Sequence, residues 1–202
     1  MSPASDIAAG RALRHVPNVI TVVRGLLIPV IGALLLQERY VEAFWTLVAS
    51  ALSDLVDGQI ARRFNARSRF GAIADPIADK LTMLTVTLLL AWQGLLPVWL
   101  ATAMVLRDVV IVGGAVAYHR LFGHVEMAPT WLSKLNTVLE FVMLAAVIAD
   151  AAALVDDRAM LPLLFAAVLL SVVTSGVQYV WIWSRRALIQ TRARTARDPS
   201  VP

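Results

Sequence analysis

Ser53-Asp54-Leu55-Val56-Asp57-Gly58-Gln59-Ile60-Ala61-Arg62 is followed, eight residues on, by Gly71-Ala72-Ile73-Ala74-Asp75-Pro76-Ile77-Ala78-Asp79-Lys80. Four aspartates thus stand inside chain that is apolar on both flanks. In a helix Asp54, Asp57, Gly58 and Ala61 fall at i, i+3, i+4 and i+7 and share one face. Asp75 and Asp79, at i and i+4, share a face of the next helix. The polar segment Arg62 to Arg69 is short enough to make the two helices antiparallel neighbours. The four carboxylates are then expected to converge, beside side chains small enough to leave a pocket.

Four bare carboxylates in a low dielectric repel one another, so a positive species belongs among them. All-oxygen donors suit Mg²⁺ or Mn²⁺, and hard divalent ions suit a diphosphate. Arg62 adds a guanidinium fork for phosphate oxygens, and Gly58 lets a ligand approach the helix backbone. Each residue alone has a plainer reading. Asp75-Pro76 is a possible helix start, and Arg62-Arg63 possible topology charges. Asp54 to Gly58 echoes a calcium loop whose remaining ligands are missing. The constellation as a whole has no such plain reading.

Outward from this hairpin, six apolar stretches are each long enough to cross a bilayer: 17–36, 41–62, 72–92, 97–119, 134–153 and 159–183. The hydrophobic share of 59% exceeds the roughly 45–50% of soluble domains. The expected fold is an all-α integral membrane protein with six transmembrane helices. It forms one domain over 1–202, with a juxtamembrane segment 1–16 and a basic tail 185–202. With six spans, thirteen of the eighteen Lys and Arg fall on the side of both termini, and only Arg39 and Arg158 on the other. Arg24, Lys80 and Arg107 lie within spans. This bias predicts cytoplasmic termini and favours anionic lipid as partner for the +4 net charge. Cations split among separate loops argue against nucleic acid. Tyr40, Trp45, Trp92 and Trp99 near one face, and Tyr118, Trp181 and Trp183 near the other, read as interfacial belts. Arg11 and Arg14 precede an apolar stretch as in a signal peptide. That stretch contains Arg24 and no small-residue cleavage site, so a retained first span is expected. The absence of cysteine excludes disulfides, thiol catalysis and Cys-ligated metals. His15, His119 and His124 show no partner spacing.

The hairpin resembles the signature of the CDP-alcohol phosphotransferases, D-x2-D-G-x2-A-R-x8-G-x3-D-x3-D. Asp54, Asp57, Gly58, Ala61, Arg62, Gly71, Asp75 and Asp79 fill every fixed position without a gap. Six spans with cytoplasmic termini extend the resemblance over nearly the whole chain. Asn18, Thr21 and Arg24 look like the family's opening helix. The resemblance implies that Asp54, Asp57 and Asp75 hold metal, with two ions in all, and that Asp79 is the base and also touches metal. It implies that Asn18, Thr21, Gly58, Ala61, Arg62, Ser68 and Gly71 line the CDP-lipid site. It further implies a homodimer in the inner (cytoplasmic) membrane with its active face toward the cytoplasm. The reaction expected is attack of an acceptor hydroxyl on the lipid-linked phosphorus of CDP-diacylglycerol, with release of CMP.

Arg107, Arg120 and Lys134 are candidates for a phosphate on the acceptor, although Arg107-Asp108 could equally be a structural pair. Arg107-Asp108 and Ser133-Lys134-Leu135-Asn136-Thr137 look like the CMP-forming cardiolipin synthase branch, whose acceptor is phosphatidylglycerol. The alternative is glycerol 3-phosphate, as in phosphatidylglycerophosphate synthases. Glu140 departs from the Gln expected in either branch. Two other classes fit less well. Membrane prenyltransferases place their aspartate motifs far apart. A proton-coupled transporter does not need Gly58, Ala61 or Arg62.

Overall fold

Apolar runs bounded by turn residues become helices throughout a computed structural model that describes residues 25–63, 69–122, 130–156 and 159–197. Among these residues the helices are α1 (Gly25–Leu36), α2 (Tyr40–Arg63), α3 (Arg69–Trp92), α4 (Val98–Phe122), α5 (Trp131–Ala151) and α6 (Met160–Arg197). Val98–Arg120, Trp131–Ala151 and Met160–Arg186 are long and apolar enough to cross a membrane. Helices α2 and α3 have 24 residues each, about 36 Å of rise against a core of about 30 Å. They carry the aspartates and flanking arginines.

Helix α3 starts at Arg69 rather than near 72, so Pro76 sits in its interior and Asp75-Pro76 is not a helix start. Proline has no N–H, so the carbonyl of Ala72 is left without its helical donor one turn before Asp75. Helix α6 runs 38 residues and takes in most of the basic tail. No Gly or Pro interrupts the chain between Gly176 and Pro199, and the Arg- and Ala-rich sequence from Arg185 to Arg197 favours helix.

Three helices end alike. At the end of α1 the Arg39 amide donates to the Leu34 carbonyl at 2.9 Å and the Glu38 amide to Leu35 at 3.0 Å. The same 6→1 and 5→2 pair closes α3 around Gly94 and α5 around Ala153. The residue at the turn has φ of 58° for Glu38, 75° for Gly94 and 53° for Ala153. Only Gly adopts this region without a Cβ penalty. Glu38→Gly and Ala153→Gly are each expected to stabilise the protein by about 1 kcal/mol, read as a higher midpoint in thermal unfolding of detergent-solubilised protein. A lower midpoint would show that the side chains do more than occupy the turn.

The chain divides into two compact units. One holds α1, α2, α3 and α5 from Leu144 onward. Its buried residues include Ile31 and Leu35 of α1, Leu47 of α2, and Ala78, Thr82, Val86 and Leu90 of α3, with Leu144 and Ile148 of α5. A Cβ at Gly32 would touch Leu89 and Thr85 at 3.6 Å, so α1 and α3 are closely apposed. Gln93 Nε2 donates to the Leu35 carbonyl at 2.6 Å across the same pair.

The other unit holds α4, α5 up to Met143, and α6. Its interior contains Arg107, Asn136, Glu140, Ser171 and Ser175, whereas Leu106, Val109, Val112, Val173 and Val177 are exposed. Polar groups inside and large apolar side chains outside invert the soluble pattern and match a bundle whose solvent is lipid. Arg107 lies against Ser175, and a Cβ at Gly114 would press on the Trp183 indole at 3.2 Å. These two contacts set α4 and α6 side by side and parallel. Together with the three long apolar helices, this makes the chain a multi-pass membrane protein.

Candidate active site

The aspartate positions all lie on regular helix. Asp54, Asp57, Gly58, Ala61 and Arg62 occupy the C-terminal half of α2, and Gly71, Asp75 and Asp79 the N-terminal half of α3. The helix bounds match their depths. Asp57 stands six residues before the end of α2 at Arg63, and Asp75 six residues after the start of α3 at Arg69. At 1.5 Å per residue each is about 9 Å from its helix end. Asp54 and Asp79 stand nine and ten residues from the same ends, about 14–15 Å deep. Along their own helices, Asp57 and Asp75 are therefore equally far, and Asp54 and Asp79 nearly equally far, from the ends that flank residues 64–68.

Asp79 is exposed, beside a buried strip formed by Ala78, Thr82, Val86 and Leu90. The Thr82 hydroxyl donates to the Ala78 carbonyl at 2.9 Å, so this turn satisfies its own polar groups. Asn18, Thr21 and Ser68 lie outside the described residues. The side chains of Asp54, Asp57, Gly58, Ala61, Arg62, Gly71 and Asp75 do as well, while their backbones are helical.

A second polar cluster lies in the other unit. Arg107, 7% exposed, donates through Nη1 to Asp108 Oδ1 at 3.0 Å. Its Nη2 donates to Ser133 Oγ at 2.7 Å and to Ser175 Oγ at 2.8 Å. Nε is buried and has no hydrogen-bond partner among the described residues. One guanidinium therefore ties α4 to the start of α5 and the middle of α6. Thr130 caps α5 by accepting from the Ser133 amide at 3.2 Å, and its hydroxyl donates to Gln178 Oε1 at 3.1 Å. Deeper in, Asn136 Nδ2 donates to Glu140 Oε1 at 2.7 Å, and the Ser171 hydroxyl lies 2.7 Å from Asn136 Oδ1. Glu140 is thus a buried acceptor for Asn136. Arg120 and Lys134 are exposed.

Of the three acceptor candidates, Arg107 is enclosed in a hydrogen-bonded network with Ser133, while Arg120 and Lys134 are open to solvent. Ser171, Ser175 and Gln178 were not singled out from sequence. Their signal was present: polar residues at i, i+4 and i+7 mark one face of an otherwise apolar helix.

Comparison with known proteins bears on both clusters. The model of the CDP-alcohol phosphatidyltransferase family matches residues 14–178, which include the whole aspartate hairpin and the Arg107 cluster. A probable cardiolipin synthase (CMP-forming) of Drosophila melanogaster is 37% identical over 138 residues, 60% of this chain and 43% of that protein. The cardiolipin synthase (CMP-forming) of Homo sapiens is 31% identical over 150 residues, 66% of this chain and 50% of its own. A chloroplastic CDP-diacylglycerol–glycerol-3-phosphate 3-phosphatidyltransferase of Oryza sativa subsp. japonica is 33% identical over 165 residues, covering 71% and 49%. The chain spans about half the length of these relatives. With four-fifths of its length matched by the family model and every fixed position of the aspartate signature in place on α2 and α3, the chain belongs to the CDP-alcohol phosphatidyltransferase family.

Proposed function

We propose that this chain transfers a phosphatidyl group from CDP-diacylglycerol to the hydroxyl of phosphatidylglycerol, forming cardiolipin and CMP. The observation that carries the reading is that Asp54 and Asp57 lie on α2 and Asp75 and Asp79 on α3, with every fixed position of the family's signature present. Four carboxylates would offer an all-oxygen donor set, which suits Mg²⁺ or Mn²⁺. Asp54, Asp57 and Asp75 would hold the metal, two ions in all, with Asp79 at the edge of the set. Bound there, a divalent ion neutralises the diphosphate of the donor.

The residues of the chain do the rest. Arg62 binds donor phosphate oxygens, and Gly58 and Gly71 leave the backbone open to the nucleotide. Asp79 takes the proton of the acceptor hydroxyl. The hydroxyl oxygen bonds to the lipid-linked phosphorus as the bond to the bridging oxygen breaks, and CMP leaves with the electron pair. Positioning and electrostatics supply most of the rate.

Phosphatidylglycerol is favoured over glycerol 3-phosphate by the likeness of Arg107-Asp108 and Ser133 to Thr137 to the cardiolipin synthase branch, and a probable cardiolipin synthase and a cardiolipin synthase (CMP-forming) are among the relatives. The Arg107 fork is engaged by Asp108, Ser133 and Ser175. The relative from Oryza sativa keeps the second reading in play. The charge bias of thirteen to two supports a reading in which the active face, both termini and the loops after α2 and α4 face the cytoplasm from the inner membrane. The test offers CDP-diacylglycerol with phosphatidylglycerol or glycerol 3-phosphate separately, in sealed inside-out vesicles, with products resolved by mass. Cardiolipin, with CMP released into the outer medium, is expected. Product with glycerol 3-phosphate alone would move the chain to the other branch, and CMP trapped in the lumen would reverse the orientation.

A further inference from the structure

A groove of about 590 Å³ runs along the outer side of the α4–α6 pair. Its walls include Leu106 and Val110 of α4 and Val173, Val177, Val180 and Trp181 of α6. Leu106, Val177 and Trp181 are each more than half exposed, so the groove opens to whatever surrounds the bundle. Gly176 forms part of its floor, where an added Cβ would meet only Arg107 Cγ at 3.9 Å. The groove extends along α6 from Val172 to Ser184, about 18 Å at 1.5 Å per residue. Averaged over that length its cross-section is a few tens of Å², enough to admit a hydrocarbon chain.

The depth is also informative. Ser175, level with Arg107, is ten residues from Arg185, or about 15 Å, half the roughly 30 Å hydrocarbon core. The groove thus runs from the bilayer middle to one interface. At that interface Arg185 lies over the Trp181 ring, 5.3 Å from its centroid, and Arg186 is exposed beside it. The mouth of an apolar slot one leaflet deep is cationic, which complements a lipid phosphate.

We propose that the α4–α6 groove binds one acyl chain of an anionic phospholipid, whose phosphate is held by Arg185 and Arg186. The proposal concerns residues outside the aspartate hairpin and stands whether or not the transfer reaction is as described above. Trp181 reports on it directly. Protein is reconstituted in phosphatidylcholine vesicles containing increasing fractions of phosphatidylglycerol with brominated acyl chains, and Trp181 emission is taken as the difference between wild type and Trp181→Phe. Quenching that saturates at a low fraction of the anionic lipid is expected, against quenching merely proportional to fraction for brominated phosphatidylcholine. Gly176→Leu, which fills the floor, removes the saturating component. Arg185→Gln with Arg186→Gln, outside the packed interior, raises the half-saturating fraction about tenfold. Quenching proportional to fraction for both lipids would overturn the proposal. So would a Trp181 insensitive to every brominated lipid, the result expected if a second copy of the chain covered the groove.

Discussion

Asp54→Asn and Asp57→Asn are each expected to lower CMP release by about a thousandfold or more, because on the proposed reading the lost charge removes several kcal/mol of stabilisation at the diphosphate. Metal affinity is expected to fall with turnover in both. Asp79→Asn behaves differently. It loses about 10²–10⁴ in turnover, the usual worth of a general base, and keeps most of its CDP-diacylglycerol binding, since proton removal follows binding. The contrast follows from position. Asp54 and Asp57 share one face of α2, while Asp79 is an exposed residue of α3 ten residues from its start. Binding titrations with the donor, run beside single-turnover rates, separate the two behaviours. If Asp79→Asn turned over near the wild-type rate, the base would lie elsewhere.

Arg107→Met has the second large effect, and it falls on stability. The guanidinium is buried, and its donors serve Asp108, Ser133 and Ser175 on three helices. Removing it leaves the Asp108 carboxylate, 22% exposed, without this partner. The expected loss is about 3 kcal/mol in unfolding free energy. Arg107→Lys gives little rescue, because a single ammonium cannot reproduce the fork. The double substitution Arg107→Met with Asp108→Leu is expected to recover at least half, since it removes both members of the ion pair together. Equilibrium unfolding in mixed detergent micelles measures all three. Wild-type stability in Arg107→Met, with activity toward phosphatidylglycerol lost, would make Arg107 a ligand of the acceptor rather than a clamp between helices.

The helices were legible because each apolar run is bounded by charge or turn residues. The run 41–62 became Tyr40–Arg63 and 97–119 became Val98–Phe122. The start of α3 was harder, because Pro76 looks like a first-turn proline until the helix is seen to begin at Arg69. Past residue 183 the chain stops being apolar and a reading for bilayer spans stops with it, although nothing there breaks a helix and α6 continues to Arg197. Of the three matching helix ends only Gly94 announces itself. Glu38 and Ala153 adopt the same left-handed turn without a residue that favours it.

The candidate site was legible in the same uneven way. Charged residues within apolar runs draw attention, so the four aspartates and Arg107 stood out. Ser133 was noted only as part of a short motif. Ser171 and Ser175 lie within an apolar run, and only the folded chain brings them to Asn136 and Arg107. Whether Arg107 clamps helices or binds a phosphate was open from sequence, since both uses need the same guanidinium. Its partners Ser133 and Ser175 lie 26 and 68 residues away, beyond any local pattern. The division of α5 between two compact units had no sequence signal at all.

The central claim is that the aspartates of α2 and α3 hold the divalent metal on which transfer from CDP-diacylglycerol depends. It is tested most directly by CMP release from purified protein given CDP-diacylglycerol and phosphatidylglycerol, first with excess EDTA and then with Mg²⁺ restored. Release should fall to background and return in full, and Asp57→Asn should not recover at the same Mg²⁺ concentration. An undiminished rate in excess EDTA would contradict the claim.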